Sequence, residues 1–202
     1  VLAEVHHRVK NNLAIISGLL QMQVFNTNDE NLLAKLKESQ SRIQSIAMVH
    51  EKLYSSETFS EIAIDKYIDD LLNMVEDSMT DFEKDIRVYT DMEPIRLTVG
   101  QAIPCGLLLN EMITNCYKHA FENKEEGEIN ISIEENEGQI TLNVTDNGVG
   151  LPEDFNIDQQ SSLGMTIINT LTTQLNGQLE VNSGDFGSRF SLVFDIERDV
   201  EE

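Results

Sequence analysis

The sequence predicts two domains, an all-α helical hairpin followed by an α+β two-layer sandwich, and three observations carry that expectation. The first is a pair of long stretches, before about residue 54, whose apolar residues recur at three- and four-residue steps. The second is a later region in which such stretches alternate with segments apolar at every other position, several of them closed by Gly- and Asn-bearing turns. The third is the polar, aperiodic run Ser55 to Glu61 between the two regimes, which places the domains at residues 1–57 and 58–202.

From Val1 to about Phe25 the apolar residues Leu2, Val5, Val9, Leu13, Ile16 and Leu20 define a helix with one apolar stripe. A second helix, about Asn31 to Tyr54, carries Leu32, Leu36, Ile43, Ile46 and Leu53. The polar turn Asn26-Thr27-Asn28-Asp29-Glu30 makes the pair an antiparallel hairpin. Two helices alone bury too little apolar surface, so a second copy is expected to complete a four-helix bundle by homodimerisation. Beyond the boundary the pattern predicts a helix over Ile64 to Ser78, a strand near Ile86 to Thr90 and an extended piece at Ile95 to Leu97. A long helix is then expected over Val99 to Phe121. Strands follow at Glu128 to Glu134 and Gln139 to Thr145, joined through Asn136-Glu137-Gly138. A loop to Ser162, a helix over Leu163 to Leu175 and strands at Gln178 to Ser183 and Ser188 to Asp195 complete a mostly antiparallel sheet with helices.

Composition excludes some partners. With 36 acidic against 14 basic residues the net charge is −22, so nucleic acid and an anionic membrane surface would be repelled. The excess fits a solvated acidic surface or, alternatively, steering toward a partner with a basic docking face. Cys105 and Cys116 share one predicted helix, roughly 16 Å apart at its rise per residue, too far for a disulfide; they are expected to be free thiols in a reducing compartment. No apolar run approaches the ~18 residues of a membrane span, and no signal peptide is visible. The abrupt start inside a helical pattern at Val1 suggests a cytoplasmic fragment of something larger, with any sensor or membrane segment upstream.

Two sets of residues carry the chemistry. In the long helix Glu111, Asn115, Lys118 and His119 recur at helical spacing and share one polar face, while Ile103, Leu107, Leu109, Ile113, Cys116 and Ala120 cover much of the rest. A carboxylate, an amide and an amine on one face suit a Mg²⁺–phosphate site, because Mg²⁺ takes oxygen ligands and is often shared with substrate phosphates. Downstream lies Asp146-Asn147-Gly148-Val149-Gly150, which follows an alternating strand. In the first helix His7 points away from the apolar stripe with Asn11 on the same outward face, and His6 sits at the stripe's edge.

These residues carry a family resemblance over nearly the whole chain. His7-Arg8-Val9-Lys10-Asn11-Asn12 resembles the phospho-acceptor box of two-component sensor histidine kinases, in the subclass with H-R-x-K-N-N; the absence of tryptophan separates it from the related W-x-E-bearing HWE subclass. The second half resembles the Bergerat-type ATP-binding domain shared by histidine kinases, gyrase, Hsp90 and MutL. The resemblance implies a hairpin for dimerisation and phosphotransfer, then a catalytic domain using ATP and Mg²⁺. It implies that Asn115 is the Mg²⁺ ligand, with Glu111 and Asn110 as companions and Lys118 and His119 facing the phosphates. Asp146 would accept the adenine amino group, with Gly148 and Gly150 letting the backbone approach the base and hinge a lid, Leu151 to Ser161. Ser162-Leu163-Gly164-Met165 resembles the second glycine box at a helix N-terminus, and Ser188 would lie near the adenine carboxylate.

On that resemblance His7 is the expected acceptor, and an aspartate of a response-regulator receiver domain is the next recipient. Asn11 is a candidate for positioning water or the receiver. Many relatives place an acidic residue directly after the acceptor, where this chain has Arg8, so Glu111 and Glu4 stand as alternative groups to activate His7. Rival expectations are a plain Bergerat ATPase with Glu111 activating water, a pseudokinase scaffold, and a serine-kinase anti-sigma factor, which would lack the acceptor hairpin.

Overall fold

The computed structural model describes residues 2–55, 61–78, 84–122, 124–152, 155, 157 and 162–198. Helix α1 (Leu2–Asn26) and helix α2 (Glu30–Ser55) form the expected antiparallel hairpin. The turn is built by its own side chains: Asp29 Oδ1 accepts from the backbone N–H of Asn31 (2.9 Å) and Leu32 (3.2 Å), satisfying donors that the start of α2 leaves open. The register is set by Gln40 Nε2 donating to Gln21 Oε1 (2.7 Å) near one end and by the Lys10–Glu51 ion pair (2.8 Å) toward the other.

The apolar stripe of α1 is only partly covered. Val9, Leu13 and Leu20 are half-buried, but Val5 and Ile16, at the stripe's edge, are exposed. A second apolar row, Ile15, Leu19 and Met22, lies on a flank beside the stripe and is 58–63% exposed. One neighbouring helix cannot cover a helix that is apolar around so much of its circumference.

The sandwich contains strand β1 (Glu61–Ala63), helix α3 (Ile64–Ser78), strands β2 (Asp85–Met92) and β3 (Arg96–Thr98), and helix α4 (Val99–Asn115), which runs on into a π-helical turn, Cys116–Ala120. Strands β4 (Glu126–Asn136) and β5 (Gln139–Asp146), helix α5 (Leu163–Gln174) and strands β6 (Gln178–Gly184) and β7 (Gly187–Asp195) complete it. The main sheet has the order β2-β4-β5-β7-β6; β2 runs parallel to β4 and every other pair is antiparallel. Its register lines apolar residues into rows: Ile131, Val144, Phe190 and Val181 in one, Ile133, Leu142, Leu192 and Leu179 in the next. These rows form the inner face, against which the helices pack, while Glu128, Asn130 and Glu134 face outward. β1, absent from the sequence expectation, pairs only with β3, and a three-residue strand is too short to show a period.

The core does not stop at the hairpin. Ser45 and Val49 of α2 are fully buried, and the fully buried Tyr67 of α3 donates its hydroxyl to the Ser45 carbonyl (3.1 Å). Tyr67 lies across α4 at Gly106, where an added Cβ would stand 1.9 Å from the phenol oxygen. The second half of α2 is therefore packed into the same core as α3 and α4.

Candidate active site

Asp146 ends β5 and pairs with Ser188 of β7. Its carboxylate is buried with no cation against it among the described contacts: Oδ1 accepts from the N–H of Gly148 (2.8 Å) and of Ser188 (3.3 Å), while Oδ2 meets only the weak Cys116 thiol donor at 3.8 Å. One oxygen is thus fixed by backbone and the other keeps acceptor capacity, the arrangement needed to take an N–H from an aminated ring. Burial, reinforced by the nearby Asp146 carboxylate, pushes the Cys116 thiol well above its usual range, so it stays a protonated donor.

The loop after Asp146 is sewn to its surroundings. Asn147 Oδ1 accepts from Glu128 N–H (2.9 Å), Val149 N–H donates to the Ala120 carbonyl (2.8 Å), and Lys124 Nζ donates to the carbonyls of Asn147 and Gly148. A Cβ at Gly148 would lie 2.3 Å from the Ala120 carbonyl oxygen. The demand for glycine there therefore comes from protein backbone before any ligand arrives. Gly150 packs against the β6–β7 turn.

The opposite wall is α4. Asn110 and Glu111 are buried, Asn115 is half-buried, and the Asn115 amide nitrogen and the Thr114 hydroxyl have no partner among the described residues although both atoms are buried. The N-terminus of α5 faces this wall: a Cβ at Gly164 would stand 3.0 Å from Glu111 Oε2 and 3.9 Å from Asn115 Oδ1. Ser162 caps α5, its hydroxyl accepting from Met165 N–H (3.3 Å); Leu163 is exposed and Met165 half-buried. The Glu111 carboxylate, the Asn115 amide oxygen and a helix N-terminus converge here, a set that suits Mg²⁺ shared with phosphate oxygens, while the unpartnered Asn115 nitrogen could only donate to such an oxygen. The two walls meet at one turn, because Cys116, next to Asn115, touches Asp146.

The polar face of α4 is not uniform. Lys118 pairs with Glu38 of α2, whereas His119 is exposed with Nδ1 3.9 Å from Glu122. The wider π turn from Cys116 onward changes the angular step that placed the two on one face.

His7 and Asn11 are exposed on α1. The side chains of Glu4 and His6, and most of the expected lid Leu151 to Ser161, lie outside the described residues. The structure groups Asn110, Glu111, Asn115 and Gly164, and joins Asp146, Gly148 and Ser188, but it does not bring His7 to Glu111. Glu111 is gripped by Arg42 of α2, whose Nε and Nη2 donate to Oε1 (2.6 Å) and Oε2 (2.8 Å). The Lys10–Glu51 pair fixes the hairpin register, and carrying it to the level of His7 puts that histidine roughly 18 Å along the bundle from Arg42 at ~1.5 Å per residue.

Four participants were not singled out from sequence. Glu38, Ser41 and Arg42 engage the α4 wall, and Lys124 holds the loop after Asp146. The i, i+4 spacing of Glu38 and Arg42 is legible as an ion pair (3.5 Å), but not its target.

Comparison with known proteins gives two family matches: residues 4–79 match a family described as histidine kinase, and residues 100–198 match the histidine kinase-, DNA gyrase B- and HSP90-like ATPases. The sensor histidine kinase PdtaS of Mycolicibacterium smegmatis is 34% identical over 178 residues, covering 87% of this chain and 35% of that protein. A blue-light-activated histidine kinase of Erythrobacter litoralis is 26% identical, covering 93% of this chain and 54% of that protein. The chain thus spans between a third and just over half of these relatives. Among solved structures, the kinase domain of an Erythrobacter litoralis blue-light-activated histidine kinase shares the fold, with TM-score 0.73, 24% identity, and coverage of 96% of this chain and 93% of that one.

Proposed function

This chain belongs to the histidine kinases, and from that premise we propose that it phosphorylates its own His7 from ATP and passes the phosphoryl group to an aspartate of a response-regulator receiver domain. One juxtaposition supports this most: a buried, backbone-held Asp146 carboxylate in contact with Cys116, the residue next to Asn115, whose buried amide nitrogen has no partner among the described residues, in a chain whose exposed His7 opens an H-R-x-K-N-N run.

In this reading Asp146 takes the adenine amino group, with Gly148, Gly150 and Ser188 shaping the base pocket. Asn110, Glu111, Lys118 and His119 line the phosphate side, and the backbone of Leu163, Gly164 and Met165 offers N–H donors to phosphate oxygens. Asn115 would hold Mg²⁺, which neutralises phosphate charge when bound. A ring nitrogen of His7 forms a bond to the γ-phosphorus, the bond from that phosphorus to the β–γ bridging oxygen breaks, ADP departs and the ring gives up a proton. Transfer to the receiver replaces the N–P bond with an acyl phosphate on the aspartate. Asn11, one turn from His7 on the exposed face, positions water or the receiver during later loss of the group.

We assign residues 1–57 to dimerisation and phosphotransfer and 58–202 to catalysis. The exposed row Ile15, Leu19 and Met22 supports homodimerisation through the hairpin. A cytoplasmic location goes with this chemistry, and among the described residues no helix is long and apolar enough to cross a membrane.

The test is incubation with γ-labelled ATP and Mg²⁺. Acid-labile label should appear, persist in His6→Gln and vanish in His7→Gln; in Asn11→Ala the label should form but be lost more slowly. ATP hydrolysis without protein labelling would support an ATPase instead.

A further inference from the structure

The α4 wall meets α2 through polar groups on both sides. Arg42 covers both oxygens of Glu111, Ser41 Oγ donates to Asn110 Oδ1 (2.8 Å), and Glu38 engages Lys118. Arg42 also reaches Glu38 (3.5 Å), so Lys118, Glu38, Arg42 and Glu111 form one alternating chain of charge. It is shielded at its centre: the Arg42 and Glu111 side chains are 13% and 6% exposed. Bidentate contact in so dry a place is costly to break from one side, because the partner left behind is a shielded, unpaired charge.

These partners are taken from the nucleotide side. Glu111 and Lys118 cannot offer the same atoms to a phosphate, a cation or a reacting group while α2 holds them. With the clasp closed, moreover, the Glu111 wall sits about three turns of helix from the level of His7 in the same chain.

We propose that α2 acts as an autoinhibitory clasp, with Arg42 and Glu38 holding Glu111 and Lys118 until Mg–ATP displaces them. This rests on the assignment of the α4 wall to nucleotide phosphates. Mg–ATP competes because its phosphates offer Lys118 a new anion and its cation offers the wall a new positive charge in place of the guanidinium. Ser45 and Val49, further along α2, remain buried beside Tyr67. Opening is therefore a swing of the hairpin about that anchor, not its dissociation. Nucleotide binding and movement of the acceptor are then linked, and each favours the other.

The experiment measures Mg–ATP affinity by calorimetric titration, and self-labelling rate, for the full chain and for Arg42→Gln, Glu38→Gln and Asp146→Asn, each checked for folding by circular dichroism. Opening the clasp should tighten Mg–ATP binding by roughly 5- to 150-fold in Arg42→Gln, the range typical of coupled sites, and speed labelling. Glu38→Gln frees Lys118 and removes the flanking charge on Arg42 but leaves the Arg42–Glu111 contact, so a smaller change in the same direction is expected; it also carries the test if Arg42→Gln does not fold. Unchanged or weaker binding in the folded α2 variants, with Asp146→Asn abolishing binding, overturns the clasp and leaves the nucleotide assignment standing. If Asp146→Asn binds as well as the parent chain, the nucleotide assignment falls and the clasp with it.

Discussion

At Gly148 an added methyl would lie 2.3 Å from the carbonyl oxygen of Ala120, and backbone cannot yield as a flexible side chain can. Gly148→Ala should therefore push the loop away from the π turn, lowering stability by about 1–3 kcal/mol and Mg–ATP affinity at least tenfold on the order-of-magnitude scale of overpacking. Urea unfolding and nucleotide titration check both; an unchanged affinity would mean that the loop does not shape the base pocket. Asp146 was legible in the sequence as the acidic end of an alternating strand, whereas Ser188 entered only through the family resemblance, because which strands pair leaves no local period. Arg42 was not legible: its partner is 69 positions away, and periodicity on one helix does not say what lies opposite. Lys124 escaped notice for a related reason, since it acts through backbone carbonyls that any sequence would supply.

Helices and strands were easier to read than their partnerships. The extent of α3 follows its apolar spacing, and α5 its serine cap. The union of α2 with α3 and α4 depends on Tyr67 crossing at Gly106, an interhelical contact that leaves no period in the sequence. Gly106→Ala should displace that fully buried ring, costing roughly 1–3 kcal/mol or more and loosening α2 from the core. Thermal unfolding, with amide exchange along residues 41–49, measures both effects. Retained stability and protection would show that α2 is held by polar contacts alone. The free thiols expected from helical spacing are buried on α4 and its π turn, and burial pushes Cys105 up to about 12, leaving it a packing group.

For the whole molecule, the outward row of α1 is an apolar surface with no partner among the described residues. Completing a bundle would cover Ile15, Leu19 and Met22 in both copies by symmetry, each side chain contributing up to roughly 1.5–3 kcal/mol on full burial. Leu19→Asp, at a position already 58% exposed, should leave the fold intact and convert a dimer to a monomer in sedimentation. A parent chain that sediments as a monomer at micromolar concentration would contradict hairpin dimerisation. The helical hairpin and the sandwich were legible because the hydrophobic period changes between them, and the H-R-x-K-N-N run because its residues are consecutive; that α2 shares the sandwich core was not. Where His7 stands relative to Glu111 was not, since that distance is set by which turn of α2 meets α4. The most direct test of the central assignment is acid-labile label from γ-labelled ATP in the parent chain, His6→Gln and His7→Gln. Label in the first two and none in the last is the expected result; label that persists in His7→Gln contradicts it.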